Sequence, residues 1–121
     1  VMASEIKNAD VIGVCDIVKS KAENVAGLLN GDVKVCDDLQ ELIELKLDGI
    51  AILTESGNHY SHAKIILESG IHVIVEKPIA LIPEHAYELE LLSEKQKLMY
   101  TEVKQNRFCL IPFPISRIPQ F

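Results

Sequence analysis

The sequence predicts an α/β domain built on a doubly wound, mainly parallel sheet, and three observations predict it. Short apolar runs recur at intervals of about twenty residues: Val11 to Cys15, Val33 to Cys36, Gly49 to Leu53, His72 to Val75 and Met99 to Val103. Segments with helical spacing lie between them, the alternation expected of βαβ units. The runs also end in polar or charged residues, which is where an open parallel sheet gathers its ligand-binding groups.

Composition supports this class and excludes others. The 121 residues suffice for one domain with a real core and are too few for a two-domain enzyme. Hydrophobic residues make up 48% and aromatics 5%. That balance, set by Ile, Leu and Val, suits buried parallel strands and not a disordered chain. A net charge of −6 leaves no basic footprint for nucleic acid or an anionic membrane, so neither partner is expected. Cys15, Cys36 and Cys109 form an odd set without C-x-x-C spacing. Core packing of reduced thiols, and hence a cytoplasmic location, is the simplest reading. No apolar run approaches the roughly 20 residues needed to cross a bilayer.

Each helix has its own signals. Val18, Ala22, Val25, Ala26 and Leu29 share one apolar face, with Gly31 as a stop. Asp38 and Glu41 form a capping box ahead of Leu39, Leu42 and Ile43. Asn58 is placed to cap the next helix, which stops at Gly70. Pro83 suits the first turn of a long helix running to about Lys97, with Lys95 and Lys97 at its negative end. Met2 to Ile6 resembles the end of a helix, and the stretch from Cys109 to Phe121, broken by Pro112, Pro114 and Pro119, fits no element.

A parallel sheet would bring four groups to one edge: Asp16, the loop from Thr54 to His59, Glu76-Lys77-Pro78, and Lys104-Gln105-Asn106-Arg107. Asp16 can accept hydrogen bonds from both ribose hydroxyls of an adenosine, or it can cap the helix that follows. Lys77, leaving a buried strand beside a stiffening proline, can hold an ammonium over a cofactor cleft and stabilise an alkoxide, or it is a solvated strand-end lysine. His59 and His62 share a helical face but have no third ligand, so no metal is expected.

The stretches D-G-I-A-I-L-T-E-S-G-N-H, G-I-H-V-I-V-E-K-P-I-A-L and V-K-Q-N-R-F together resemble the Gfo/Idh/MocA family over about residues 1–108. That resemblance implies an N-terminal Rossmann-like domain followed by an α/β substrate domain, and oxidation or reduction of sugars with NAD, NADP being the lesser expectation. T-E-S-G-N-H with V-K-Q-N-R-F looks most like the branch that oxidises UDP-N-acetyl-glucosaminuronic acid at its third carbon. The implied substrate is a small-molecule sugar or UDP-sugar, and a homo-oligomer is expected for the full-length enzyme. Carried over by motif, Asp16 is the ribose-binding acid, and Thr54, Glu55, Ser56, Asn58 and His59 lie along the dinucleotide. Glu76 lies near the nicotinamide ribose and Lys77 is the catalytic lysine at the reacting carbon. Gln105, Asn106 and Arg107 fall near the nicotinamide end.

The family's first strand, its G-x-G-x-x-G loop and its second domain have no counterpart in these residues. The chain is therefore expected to be a fragment, truncated or frame-shifted at both ends and inactive alone. Residues 1–108 are read as a partial dinucleotide-binding domain and 109–121 as an irregular proline-rich tail. A non-catalytic flavodoxin-like or receiver-like module would share the alternating pattern, with Asp37 and Asp38 in the place of a receiver's acids. It gives no role to E-K-P or Q-N-R-F.

Overall fold

The computed structural model describes residues 8–29 and 31–103. Gln105, Asn106, Arg107, the helix end expected at 2–6 and the tail 109–121 lie outside the described residues. The elements alternate as expected: β1 (Gly13–Cys15), α1 (Lys19–Leu28), β2 (Lys34–Cys36), α2 (Leu39–Glu44), β3 (Gly49–Ile52), α3 (His59–Glu68), β4 (His72–Val75), α4 (Pro83–Gln96) and β5 (Tyr100–Glu102).

All strand pairs are parallel, but they fall into two sheets instead of one, β1 with β2 and β3-β4-β5. Cys15 sits opposite Cys36 in the first, and Ile52 opposite Val75 in the second. Among the described residues β1 and β3 do not pair with each other. A first strand, absent from these elements, is what a doubly wound sheet would place between them.

The core lies on one face of the larger sheet. Ile50 and Ile52 of β3 and Val73 and Val75 of β4 alternate inward and pack on Ala63, Ile66 and Leu67 of α3 and Leu89 of α4. Truncating Ile66 to Ala would cost about 2–5 kcal/mol. Leu42 of α2 and Cys36 of β2 belong to the same buried cluster. Among the described residues nothing covers the opposite face, where Ala51 and Ile74 are exposed. The small sheet offers little to cover α1. Ala22 is buried, whereas Val25, on the expected apolar face, stays 42% exposed. Cys15 is likewise exposed, unlike buried Cys36, because nothing described covers its side of β1.

Local chemistry explains the boundaries. Asp38 Oδ1 accepts from Glu41 N at 2.8 Å, the first half of the capping box. Glu41 Oε2 reaches one residue further back than expected and accepts from Asp37 N at 3.0 Å. Asn58, by contrast, does not cap α3 with its side chain. A 3-10 turn over Ser56–Asn58 leads into the helix, Asn58 N already donates to Glu55 O, and its side-chain amide turns back to Glu55 Oε1. Gly70, at φ +80°, ends α3: its N–H bonds Leu67 O and that of Ile71 bonds Ile66 O. Pro83 occupies the first turn of α4, and Lys97 closes the helix in the left-handed region at φ 56°. Between α3 and α4, Glu88 accepts from Lys64 Nζ at 2.6 Å and from Tyr60 Oη at 2.7 Å, while His85 stacks on the Tyr60 ring.

Asp38→Ala should lower the stability of the folded chain by about 1 kcal/mol, read as a reduced urea midpoint at unchanged slope. One contribution to the pH dependence falls on the acid side. The Lys64 ammonium, then the Tyr60 hydroxyl, hold the Glu88 carboxyl below its ordinary range. A depressed carboxyl contributes stability above its unfolded value and loses it as pH falls through the folded one. Glu88→Gln should flatten that acid limb by a small, salt-sensitive amount, because the pair is exposed.

Candidate functional site

Parallel pairing sends the chain out of each strand on the same side of its sheet, so two clusters of polar groups form at carboxyl ends. The first follows β1 and β2. Asp16 Oδ1 accepts from Val18 N at 2.8 Å, a turn that leads the chain into α1. Its other carboxylate oxygen has no hydrogen bond among the described residues. The two readings of Asp16 are thus compatible: one oxygen organises the helix entry and the other is available to hydroxyls. Ile17, next to it, is 98% exposed, an apolar side chain at a polar edge. Across the edge Lys19 Nζ bonds Asp37 Oδ1 at 2.6 Å. With Asp38 spent on the α2 cap, these acids serve helix entries and a lysine, not a receiver's acidic pocket.

The second cluster follows β3 and β4. Residues 54–59 leave β3 in a tight path: Asn58 Nδ2 donates to Glu55 Oε1 at 3.3 Å and Ser61 Oγ donates to Asn58 O at 3.0 Å. Thr54 Oγ1 lies 3.4 Å from His62 Nδ1. Ser56 is half-buried in the 3-10 turn and Glu55 and Asn58 are exposed. His59 behaves differently from its neighbours. It is 1% exposed, with Nε2 2.8 Å from Thr54 O and Nδ1 2.7 Å from Pro78 O. Its ring is turned inward and spent on backbone, so it ties the loop after β3 to the turn after β4.

That turn carries the E-K-P tripeptide. Glu76 N donates to Ile52 O at 2.9 Å, extending the β3-β4 ladder, and the Lys77–Pro78 peptide is cis. Ile79 N donates to Glu102 Oε1 at 3.3 Å. Backbone ties therefore flank Lys77 on both sides. The Lys77 side chain itself is exposed and has no hydrogen bond or ion pair among the described residues. Glu102 was not among the residues singled out from sequence. Its signal was a carboxylate in the apolar run that becomes β5, at the register position opposite Val75.

The structure therefore brings Thr54, Glu55, Ser56, Asn58, His59, Glu76 and Lys77 to adjoining strand exits, and places Asp16 at the exit of β1. It shows no hydrogen bond between the two clusters among the described residues.

A family model described as "Oxidoreductase family, NAD-binding Rossmann fold" matches residues 2–103. The chain is 37% identical over 81 residues to the D-glucoside 3-dehydrogenase of Escherichia coli, covering 66% of this chain and 23% of that protein. It is 35% identical over 83 residues to the glucose-6-phosphate 3-dehydrogenase of Bacillus subtilis, covering 69% and 23%. Among solved structures, the WlbA dehydrogenase from Chromobacterium violaceum, in complex with NADH and UDP-GlcNAcA, superposes with a TM-score of 0.77 at 27% identity, covering 86% of this chain and 30% of that one. The chain thus spans about a quarter of the curated relatives' length. By the extent of the family match and the shared parallel fold, it belongs to the Gfo/Idh/MocA oxidoreductase family with the NAD-binding Rossmann fold.

Proposed function

We propose that this chain is the cofactor-side portion of an NAD-dependent dehydrogenase that oxidises a ring hydroxyl of a sugar or nucleotide sugar, with Lys77 as the catalytic residue. The observation that carries the reading is the setting of Lys77: an exposed ammonium without a partner among the described residues, on a turn fixed by backbone bonds on both sides. Such a cation, held in advance where charge develops, stabilises a transition state more than a ground state.

The residues fit a dinucleotide. The open carboxylate oxygen of Asp16 suits a ribose hydroxyl and repels a ribose phosphate, which supports NAD over NADP. Exposed Ile17 offers an apolar platform for an adenine face. The loop 54–58 supplies polar side chains along the same side of the larger sheet, and Glu76 and Lys77 follow at the next strand exit. By the family resemblance, Gln105, Asn106 and Arg107 are assigned to the nicotinamide end. A bound nicotinamide would supply the hydride acceptor for the carbon that bears the reacting hydroxyl. Lys77 would donate a hydrogen bond to that oxygen and stabilise the negative charge it gains as its proton passes to a base of the implied substrate domain and the carbon–hydrogen bond breaks. The 121 residues hold no G-x-G-x-x-G loop, whose backbone amides would take the pyrophosphate.

Two relatives are named 3-dehydrogenases of hexose derivatives, and a solved relative holds a UDP-sugar acid. These names, with T-E-S-G-N-H and V-K-Q-N-R-F, support carbon 3 of a hexose as the reacting position and a UDP-sugar acid as the substrate. A homo-oligomer is proposed for the full-length enzyme.

Two outcomes test the reading. The chain alone should bind NAD more weakly than micromolar, with amide shifts at Asp16 and in the 54–58 loop; tight binding in a calorimetric titration would contradict the role given to the glycine loop. In a chimera carrying residues 8–103 in place of the matching segment of the Escherichia coli D-glucoside 3-dehydrogenase, Lys77→Ala should lower kcat by roughly a hundredfold or more with a smaller change in KM. Asp16→Ala should instead raise the KM for NAD, since ribose contacts are alike in ground and transition states. Near-normal turnover in Lys77→Ala would remove the catalytic assignment.

A further inference from the structure

Among the described residues His59 is the one buried histidine, and both its nitrogens face carbonyl oxygens, Thr54 O at 2.8 Å from Nε2 and Pro78 O at 2.7 Å from Nδ1. A carbonyl oxygen only accepts. A neutral imidazole carries a single N–H, so one nitrogen would direct its lone pair at an oxygen lone pair across a hydrogen-bonding distance. His72 shows the other arrangement: its Nδ1 accepts from Met99 N at 2.9 Å.

We propose that His59 is a two-proton strap, an imidazolium that donates Nε2–H to Thr54 O and Nδ1–H to Pro78 O, and that it is a positioning residue for Lys77. The two acceptors lie on different strand exits, so the ring closes a loop 19 residues apart in sequence between the path after β3 and the turn after β4. Pro78 directly follows Lys77. Holding its carbonyl, together with Ile79 N on Glu102 Oε1, fixes the Pro78–Ile79 peptide just after Lys77, while Glu76 N on Ile52 O fixes the Val75–Glu76 peptide just before it. Bonds from a charged donor are shorter and stronger than neutral ones and offset part of the cost of burying the charge. The exposed Lys77 side chain thereby stands on a turn anchored before and after it.

The inference rests on the reading of Lys77 for its functional meaning, but its test needs neither cofactor nor turnover, so each can fail without the other. In the full chain labelled with nitrogen-15 histidine, long-range proton–nitrogen spectra at neutral pH should show both His59 nitrogens bearing protons, with His72 Nδ1 as the unprotonated control. A bare nitrogen on His59 would overturn the proposal, and this measurement stands even if no variant folds. His59→Gln carries both its N–H donors on one nitrogen and cannot span two carbonyls that sit at opposite nitrogens of the ring. Hydrogen exchange at the Ile79 amide should then accelerate by roughly tenfold or more, with shifts at the Lys77 amide, while Val73 N, bonded to Met99 O in the core, keeps its protection. Unchanged exchange at Ile79 and unchanged Lys77 shifts in a folded His59→Gln chain would equally overturn it.

Discussion

Parallel pairing of β3, β4 and β5 is the constraint on which the rest of this molecule depends. It aligns Ile52, Val75 and Glu102 near one end of the sheet, so that the segments leaving β3 and β4 begin side by side. It also requires a helix to carry the chain back after each strand. Those helices, α3 and α4, bury Ile66, Leu67 and Leu89 against Val73 and Val75. The apolar interior and the polar edge are thus two products of one arrangement. The interior holds the strands in register, and the register determines which backbone atoms the edge can bond.

Much of this was legible in the residues because it depends on local chemistry. Pro83 could sit only at a first helical turn, Gly70 takes a φ that other residues avoid, and Asp38 with Glu41 spells out a helix start in side-chain reach alone. The five apolar runs became the five strands, four of them trimmed at one or both ends and His72–Val75 unchanged. What depended on tertiary partners was not legible. Val25 and Cys15 look like core residues, yet the two-stranded sheet leaves them exposed. Asn58 looks like a cap, but the 3-10 turn before it has already satisfied its environment. The division into two sheets could not be read from the runs, since pairing is decided between segments far apart in sequence.

The site was legible in the same uneven way. Asp16 and Lys77 could be located from strand endings and motif, because position after a strand fixes the edge on which a residue lies. The inward turn of His59 could not, since a histidine near a helix start offers no local sign of whether its ring faces solvent or two carbonyls. Glu102 was passed over for a similar reason: its partner, the Ile79 amide, is 23 residues away.

The way the Lys77 turn is held also bears on how such a site can be moved between proteins. Its anchors come from β3 through Ile52, from the loop and helix start through Thr54 and His59, and from β5 through Glu102. Grafting the tripeptide alone would leave every anchor behind. The smallest unit that recombination or design can exchange intact is the continuous block 49–102, and crossover points inside it separate the lysine from the groups that anchor its turn.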